Sequence, residues 1–226
     1  MSYLSYCVTA LAGYLLGSIP TGYIVGKAKG VDIRTVGSKN MGATNVLRVL
    51  GKRAGILVLI VDALKGFMAV ALVVNFYLEL NNWLPRLFPA EGMTDPRTRL
   101  HLGIVAGLFA VLGHNYTCWL GFKGGKGIAT SAGVFFALAP LAAGLALVAW
   151  VIALALSRYV SVASIVSAVV LPTVVWFTND SLTLRLVTIA LGVLAIVKHR
   201  ANIQRLRNGT ERRFGDKTSA KEEAAK

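Results

Sequence analysis

The sequence predicts an all-α integral membrane protein of seven transmembrane or half-membrane helices, with its N-terminus outside and its C-terminus in the cytoplasm. Three observations predict it. The 226 residues are 55% hydrophobic and only 15% charged, more apolar surface than a soluble domain of this size can hide. The apolar residues gather into runs at about 3–26, 54–78, 101–121, 128–157, 161–177 and 182–197, bounded by charge, Gly or Pro. The net charge of +14 is uneven, with seven of the 24 Lys and Arg between Lys27 and Arg53 and nine from Lys198 onward. Basic clustering of that kind marks the cytoplasmic side and anionic partners.

No Lys or Arg precedes Lys27, so the first run lacks the charged start of a secretory signal and reads as a retained helix. The loop 27–53 is then inside, and the charge-balanced loop 79–100 outside. The third run leads back to an inner loop carrying Lys123 and Lys126. A single crossing by residues 128–157 would strand the basic tail outside. Pro140 supplies the required break, because proline removes a helix hydrogen bond and crowds the preceding turn. Arg158 returns to the cytoplasm, Asp180 lies outside, and the tail comes in. Residues 1–213 form one membrane domain, and 214–226 a charged tail expected to be disordered. Gly13 with Gly17, Gly22 with Gly26, and Gly103 with Gly107 are spaced for close helix packing. Cys7 and Cys118 fall toward opposite faces, so neither a disulfide nor a metal site is expected.

Three polar patches share the basic side. The first is Gly37-Ser38-Lys39-Asn40-Met41-Gly42-Ala43-Thr44-Asn45 with Arg48. Gly and Asn admit positive φ, which lets backbone amides converge on an anion, and hydroxyl, amide and guanidinium groups add donors. The second is Gly113-His114-Asn115 with Gly121-Phe122-Lys123-Gly124-Gly125-Lys126-Gly127. The spacing is one residue short for a nucleotide P-loop and places Gly127 where a Mg²⁺-binding hydroxyl belongs, so a Walker A loop is excluded. An anion pocket at a helix N-terminus survives. The third combines Ser161 and Ser164 with Lys198-His199-Arg200-Ala201-Asn202, where His199 and Asn202 can share a helical face. Asp62 and Lys65 sit inside an apolar run and are expected to pair at i, i+3 or to line the cavity. Basic loops between long apolar runs also argue against nucleic-acid binding.

Together these patches resemble the acyl-phosphate-dependent glycerol-3-phosphate acyltransferases of bacterial phospholipid synthesis, the PlsY family. The resemblance is carried by Gly17-Ser18-Ile19-Pro20-Thr21-Gly22, by 37–48 with 62–66, by Gly113-His114-Asn115 with 122–127, and by 199–206. It implies a multi-pass enzyme of the bacterial inner membrane with a cytoplasmic active site and no cofactor. Its acyl phosphate donor and glycerol 3-phosphate would give lysophosphatidic acid and phosphate, with membrane lipid and the acyl-phosphate-producing enzyme as partners. By the same resemblance Ser38, Arg48, Lys126, Ser161 and His199 surround the acyl phosphate, and Asn45, Lys123 and Asn202 hold glycerol 3-phosphate. Asn40, Gly42, Thr44, Gly124, Gly125, Ser164, His114 and Asn115 complete the expected substrate contacts. The acyl chain would enter between helices from lipid. Phosphate leaves readily, so direct attack by the glycerol hydroxyl needs no covalent intermediate, and a phosphate oxygen or His199 accepts the proton. The rival from another class is a transporter of a phosphorylated solute, but the segments show no repeat and only Asp62 and Lys65 are charged at mid-depth.

Overall fold

In the computed structural model, which describes residues 3–88 and 95–216, the first apolar run is interrupted by proline and folds as α1 (Tyr3–Ser18) and α2 (Thr21–Ala28). The joint frees backbone carbonyls that the surrounding bilayer cannot satisfy. Two side chains from elsewhere do so: Thr117 Oγ1, in the segment after residue 115, donates to the Ser18 carbonyl at 2.6 Å, and Lys65 Nζ donates to the Ile19 carbonyl at 2.9 Å.

A short helix, α3 (Ala43–Leu50), turns at Gly51 into α4 (Lys52–Ala71), and a break at Leu72 starts α5 (Val73–Trp83). The run expected to continue through residue 78 is thus two helices. Asp95 begins α6 (Pro96–Asn115) by accepting from the amides of Arg97 and Thr98, a side-chain N-cap. The run 128–157 divides as expected: α7 (Ile128–Leu138) stops at Ala139, and Pro140 opens α8 (Pro140–Ser157). Proline suits a first helical position, where its missing N–H has no partner to lose. Then come α9 (Val160–Thr178), α10 (Leu182–Lys198) and the short α11 (Arg200–Arg207). Among the described residues five stretches, 3–28, 52–71, 96–120, 140–157 and 160–178, are long and apolar enough to span; α10 with α11 would make a sixth, bent by 51°, while α7 has 11 residues.

The helices pack through small residues. A Cβ at Gly13 or Gly17 would run into the α6 backbone at Ala106 or Ala110, and one at Gly66 or Gly133 would collide across the α4–α7 contact. Lipid gives helices little hydrophobic reason to associate, so backbone approach and van der Waals contact carry the packing. Val70, Ile104, Val111, Phe135, Val175 and Leu191 form a core shared by α4, α6, α7, α9 and α10. The outer face of α8 exposes Leu141, Leu145, Val148, Val151 and Ile152, a surface suited to lipid.

Lys65 also pairs with Asp62 at 2.8 Å, both side chains buried, so the expected i, i+3 pair forms. Removing one member strands a buried charge at a cost of about 3–5 kcal/mol. Lys65→Met is expected to lower the thermal midpoint in detergent, and adding Asp62→Asn should recover part of the loss. Equal instability of the single and double variants would show that the Ile19 carbonyl, and not Asp62, is what Lys65 serves.

Candidate active site

One end of the bundle brings the three patches into a single cavity lined by residues from α3 and its preceding loop, the middle of α4, the end of α6, the starts of α7 and α9 and Trp150 of α8, closed by His199 at the α10–α11 joint and Asn202 of α11. Asn45, on α3, organises the loop before it. Its Oδ1 accepts from the Ser38 amide at 2.8 Å, and its Nδ2 donates to the carbonyls of Ile33 at 3.0 Å and Val36 at 3.1 Å. A Cβ at Gly37, where φ is +64°, would meet the Asn45 side chain, so glycine is required there for both conformation and space. Asn40 Oδ1 likewise accepts from the Gly42 amide at 2.8 Å. Ser38, Asn40, Gly42, Thr44, Asn45 and Arg48 all line the cavity, yet the Asn45 amide hydrogens are committed to the loop.

The glycine-rich second patch works differently from a cradle of free amides. It folds back on the end of α6, with the Gly124 amide donating to the Asn115 carbonyl at 3.2 Å and the Gly125 amide to the His114 carbonyl at 3.0 Å. A Cβ at Gly125 would strike the His114 ring. These glycines therefore permit close backbone approach, and their amides are spent inside the protein. The product of the fold-back is the placement of Lys126, which reaches the cavity and donates to Asn202 Oδ1. Lys123 is exposed, and Lys123, Gly124, Gly125, Asn115 and Lys65 do not line the cavity. Asn115 lies behind it, its carbonyl also accepting from Lys198 at 3.1 Å. Asp62 and His114 do line it, 3.7 Å apart between Oδ1 and Nδ1.

From the third patch, Ser161, Ser164, His199 and Asn202 line the cavity. His199 Nδ1 lies 2.8 Å from the Ala195 carbonyl. A carbonyl only accepts, so Nδ1 carries hydrogen and Nε2 of the neutral ring keeps its lone pair. Burial, foremost, lowers the Lys126 pKa to about 8; Glu211 opposes that shift, while Arg205, Arg48 and Lys198 add to it.

Two hydrogen-bonding lining side chains fall outside the motifs read from sequence. Glu211, after α11, is buried and accepts from Ser161 Oγ at 2.9 Å, Asn202 Nδ2 at 2.7 Å and Arg205 Nε at 2.7 Å. The available signal was that it is the sole acidic residue between Asp180 and Asp216 in a strongly basic stretch. Trp150, whose Nε1 donates to Ser164 Oγ at 3.4 Å, lines both this cavity and an apolar groove beside it. Leu59, Ile128 and Ala129 are shared by the two as well, and the groove continues past Ala132, Ala146 and Leu171 to Phe135 and Leu191. Leu59 and Leu147, each about half exposed, give it a side opening. Among the described residues no group of three or more His, Cys, Asp or Glu could hold a metal.

The glycerol-3-phosphate acyltransferase family model matches residues 7–209. The chain belongs to that family. A glycerol-3-phosphate acyltransferase of Synechococcus sp. (strain JA-2-3B'a(2-13)) is 46% identical, over 95% of this chain and 97% of its own. That of Geotalea daltonii is 44% identical over 93% and 98%. Crystal structures of PlsY (YgiH), an integral membrane glycerol 3-phosphate acyltransferase, superpose with TM-scores of 0.81 for the glycerol 3-phosphate form and 0.78 for the lysophosphatidic acid form. Sequence identities are 39% and 38%, covering 93% of this chain and 96% of theirs in both cases. This acyltransferase is accordingly an all-helical integral membrane enzyme of the PlsY kind.

The Lys126 ammonium sits where an anionic substrate would need it charged. A lysine whose pKa is lowered loses its proton as pH rises through that lowered value, here about 8. In the free enzyme kcat/KM is expected to fall above about pH 8, and Lys126→Arg, with its much higher pKa, should extend the plateau upward. An unchanged alkaline limb in Lys126→Arg would assign that limb to another group.

Proposed function

We propose that this acyltransferase moves a fatty acyl group from acyl phosphate to the 1-hydroxyl of glycerol 3-phosphate, giving 1-acyl-glycerol 3-phosphate and inorganic phosphate at the cytoplasmic face of a bacterial inner membrane. The observation that carries the reading is the seamless join of a polar chamber holding Arg48, Lys126, Ser161, His199 and Asn202 to an apolar groove, through Leu59, Ile128, Ala129 and Trp150. A donor with an anionic head on a long chain fits such a join: the head meets the cations and the chain lies along α7. The same chamber suits the phosphate of the acceptor. The solved relative's glycerol 3-phosphate and lysophosphatidic acid forms support the acceptor and the product.

The step balances without a covalent intermediate. The glycerol hydroxyl oxygen attacks the acyl carbonyl carbon, the new ester C–O bond forms, and the bond from that carbon to the phosphate oxygen breaks. The hydroxyl proton goes to Nε2 of His199 or to a phosphate oxygen, and phosphate leaves. Arg48 and Lys126 offset the charge gathering on the departing phosphate, while holding both reactants side by side supplies much of the remaining rate. The basic loops around the chamber support the cytoplasmic orientation, with the N-terminus on the opposite side. Delivery of donor by the enzyme that makes acyl phosphate belongs to the same reading.

The test is phosphate release by the purified chain given palmitoyl phosphate and glycerol 3-phosphate, with palmitoyl-CoA as the control donor. Release that requires both substrates and is silent with the CoA ester supports the donor assignment; activity with the CoA ester alone would overturn it. Arg48→Ala should lower kcat/KM on the order of a hundredfold or more, because an ionic donor to phosphate is lost.

The groove makes a separate prediction. Ala132→Phe, which fills it without touching the polar chamber, is expected to raise KM for palmitoyl phosphate several-fold while leaving KM for glycerol 3-phosphate within about twofold. Equal effects on both constants would put the acyl chain elsewhere.

A further inference from the structure

The segment after α11 is bound across the mouth of the chamber. The Arg212 carbonyl accepts from Arg48 Nη2 at 3.2 Å, the Phe214 amide donates to the Arg158 carbonyl at 2.6 Å, and Arg213 Nε donates to the Tyr159 hydroxyl at 3.2 Å. These bonds turn Glu211 inward, so a carboxylate joins Asp62 in the lining and sits beside the cations Arg48 and Lys126. Its two oxygens are fully engaged: Oε1 accepts from both Ser161 and Asn202, and Oε2 accepts from Arg205. Asn202 cannot turn its amide over without losing both partners, since Nδ2 must face Glu211 for Oδ1 to receive Lys126. A primary amide has one acceptor end and one donor end, and the carboxylate decides which is which.

We propose that Glu211 is a positioning residue of the acyltransferase, whose carboxylate fixes Asn202 and Ser161 and, through Asn202, aims the Lys126 ammonium into the chamber. The inference rests on reading the chamber as the catalytic site. It goes beyond holding the strap closed, because the Arg212, Arg213 and Phe214 contacts already do that without a charge at position 211.

The charge has its own consequence. Lys126 is faced by Arg48 from α3, by Lys198 and His199 at the end of α10, by Arg205 from α11 and by Glu211 from the strap. Glu211 is the one acidic group in that set. It favours the ammonium form, whereas Arg205 disfavours it. Removing Glu211's charge should therefore make Lys126 lose its proton at lower pH, and removing Arg205's charge should do the reverse. Two substitutions on opposite ends of one ion pair would then move one kinetic pKa in opposite directions. A purely structural clamp would not do this, since breaking it from either end loosens the same contact.

The experiment is the pH profile of kcat/KM for glycerol 3-phosphate, measured on the full chain in detergent with palmitoyl phosphate, for wild type, Glu211→Gln and Arg205→Gln. Each is repeated with Lys126→Arg, and a thermal melt accompanies every variant. Glu211→Gln is expected to shift the alkaline limb down by roughly half a unit or more, Arg205→Gln to shift it up, and Lys126→Arg to abolish both shifts. Limbs that overlay wild type in folded variants would overturn the proposal. Should Glu211→Gln fail to fold, Arg205→Gln decides alone: Arg205 is partly exposed, and an unmoved limb there is equally fatal. Full activity in Arg48→Ala would instead sink the chamber as the catalytic site, whereas an inactive Arg48→Ala with overlaid limbs would sink only the role given to Glu211.

Discussion

A helix that stops inside a bilayer leaves carbonyls that only protein can satisfy, and the break at Pro20 imposes this demand on much of what surrounds the site. The freed Ser18 carbonyl takes Thr117, which fixes the chain leaving α6, and the freed Ile19 carbonyl takes Lys65. A lysine so deep needs a counter-charge, and Asp62 provides it one turn earlier on α4. Asp62 in turn faces His114, and both reach the catalytic chamber. The polar character deep in the chamber thus follows from a backbone requirement at the α1–α2 joint, passed through Lys65 and Asp62 of α4 to His114 of α6.

The same logic explains what the sequence made legible. Breaks are local, so Pro140 could be read as the division between α7 and α8 without knowing what packs there. Basic loops and long apolar runs are compositional, so the side-by-side gathering of Ser38, Arg48, Lys126, Ser161, His199 and Asn202 at one end followed from counting crossings. Partner choice was not legible. Gly124 and Gly125 have the composition of an anion cradle, but their amides bond the end of α6, a contact fixed by how close α6 and α7 can come. Asn45 has the right group for substrate, yet three contacts in its own loop consume it. Glu211 falls inside the predicted membrane domain but beyond the last motif, and its burial depends on a strap whose anchors, Arg48, Arg158 and Tyr159, are between about 50 and 160 residues away. Of the expected disordered tail, Phe214 is hydrogen-bonded and residues 217–226 lie outside the described part of the chain.

The border between chamber and groove is set by an amphipathic side chain. Trp150 presents its indole N–H to Ser164, which already donates to the Val160 carbonyl at 2.8 Å, and turns the rest of its ring to the groove. Tryptophan is the residue that places a polar tip and a large apolar body on opposite sides of such a boundary. A head group and a chain would part company at that ring. Ile128 and Ala129, in the first turn of α7, face both compartments, so in the proposed reaction the start of that helix would lie near the donor's anionic head. The short α7 thus runs from the polar chamber at one end to the apolar core at Phe135 at the other.

The proposed reaction sets the chamber a problem that affinity alone does not solve. Unopposed, Arg48 and Lys126 in a partly desolvated cavity would hold inorganic phosphate as readily as substrate, and the proposed reaction releases phosphate at every turnover. Binding that is equal for ground state, transition state and product gives no catalytic advantage. A fixed carboxylate close to those cations lowers the chamber's net charge before any ligand arrives while leaving the donors where they are, so charge attraction is moderated and geometry is kept. Glu211 does both through the same hydrogen bonds, to Ser161 and Asn202 on the substrate side and to Arg205 behind it. Selectivity for a transition state, in which charge moves onto the departing phosphate, then rests on donors held in place rather than on the largest attainable positive charge.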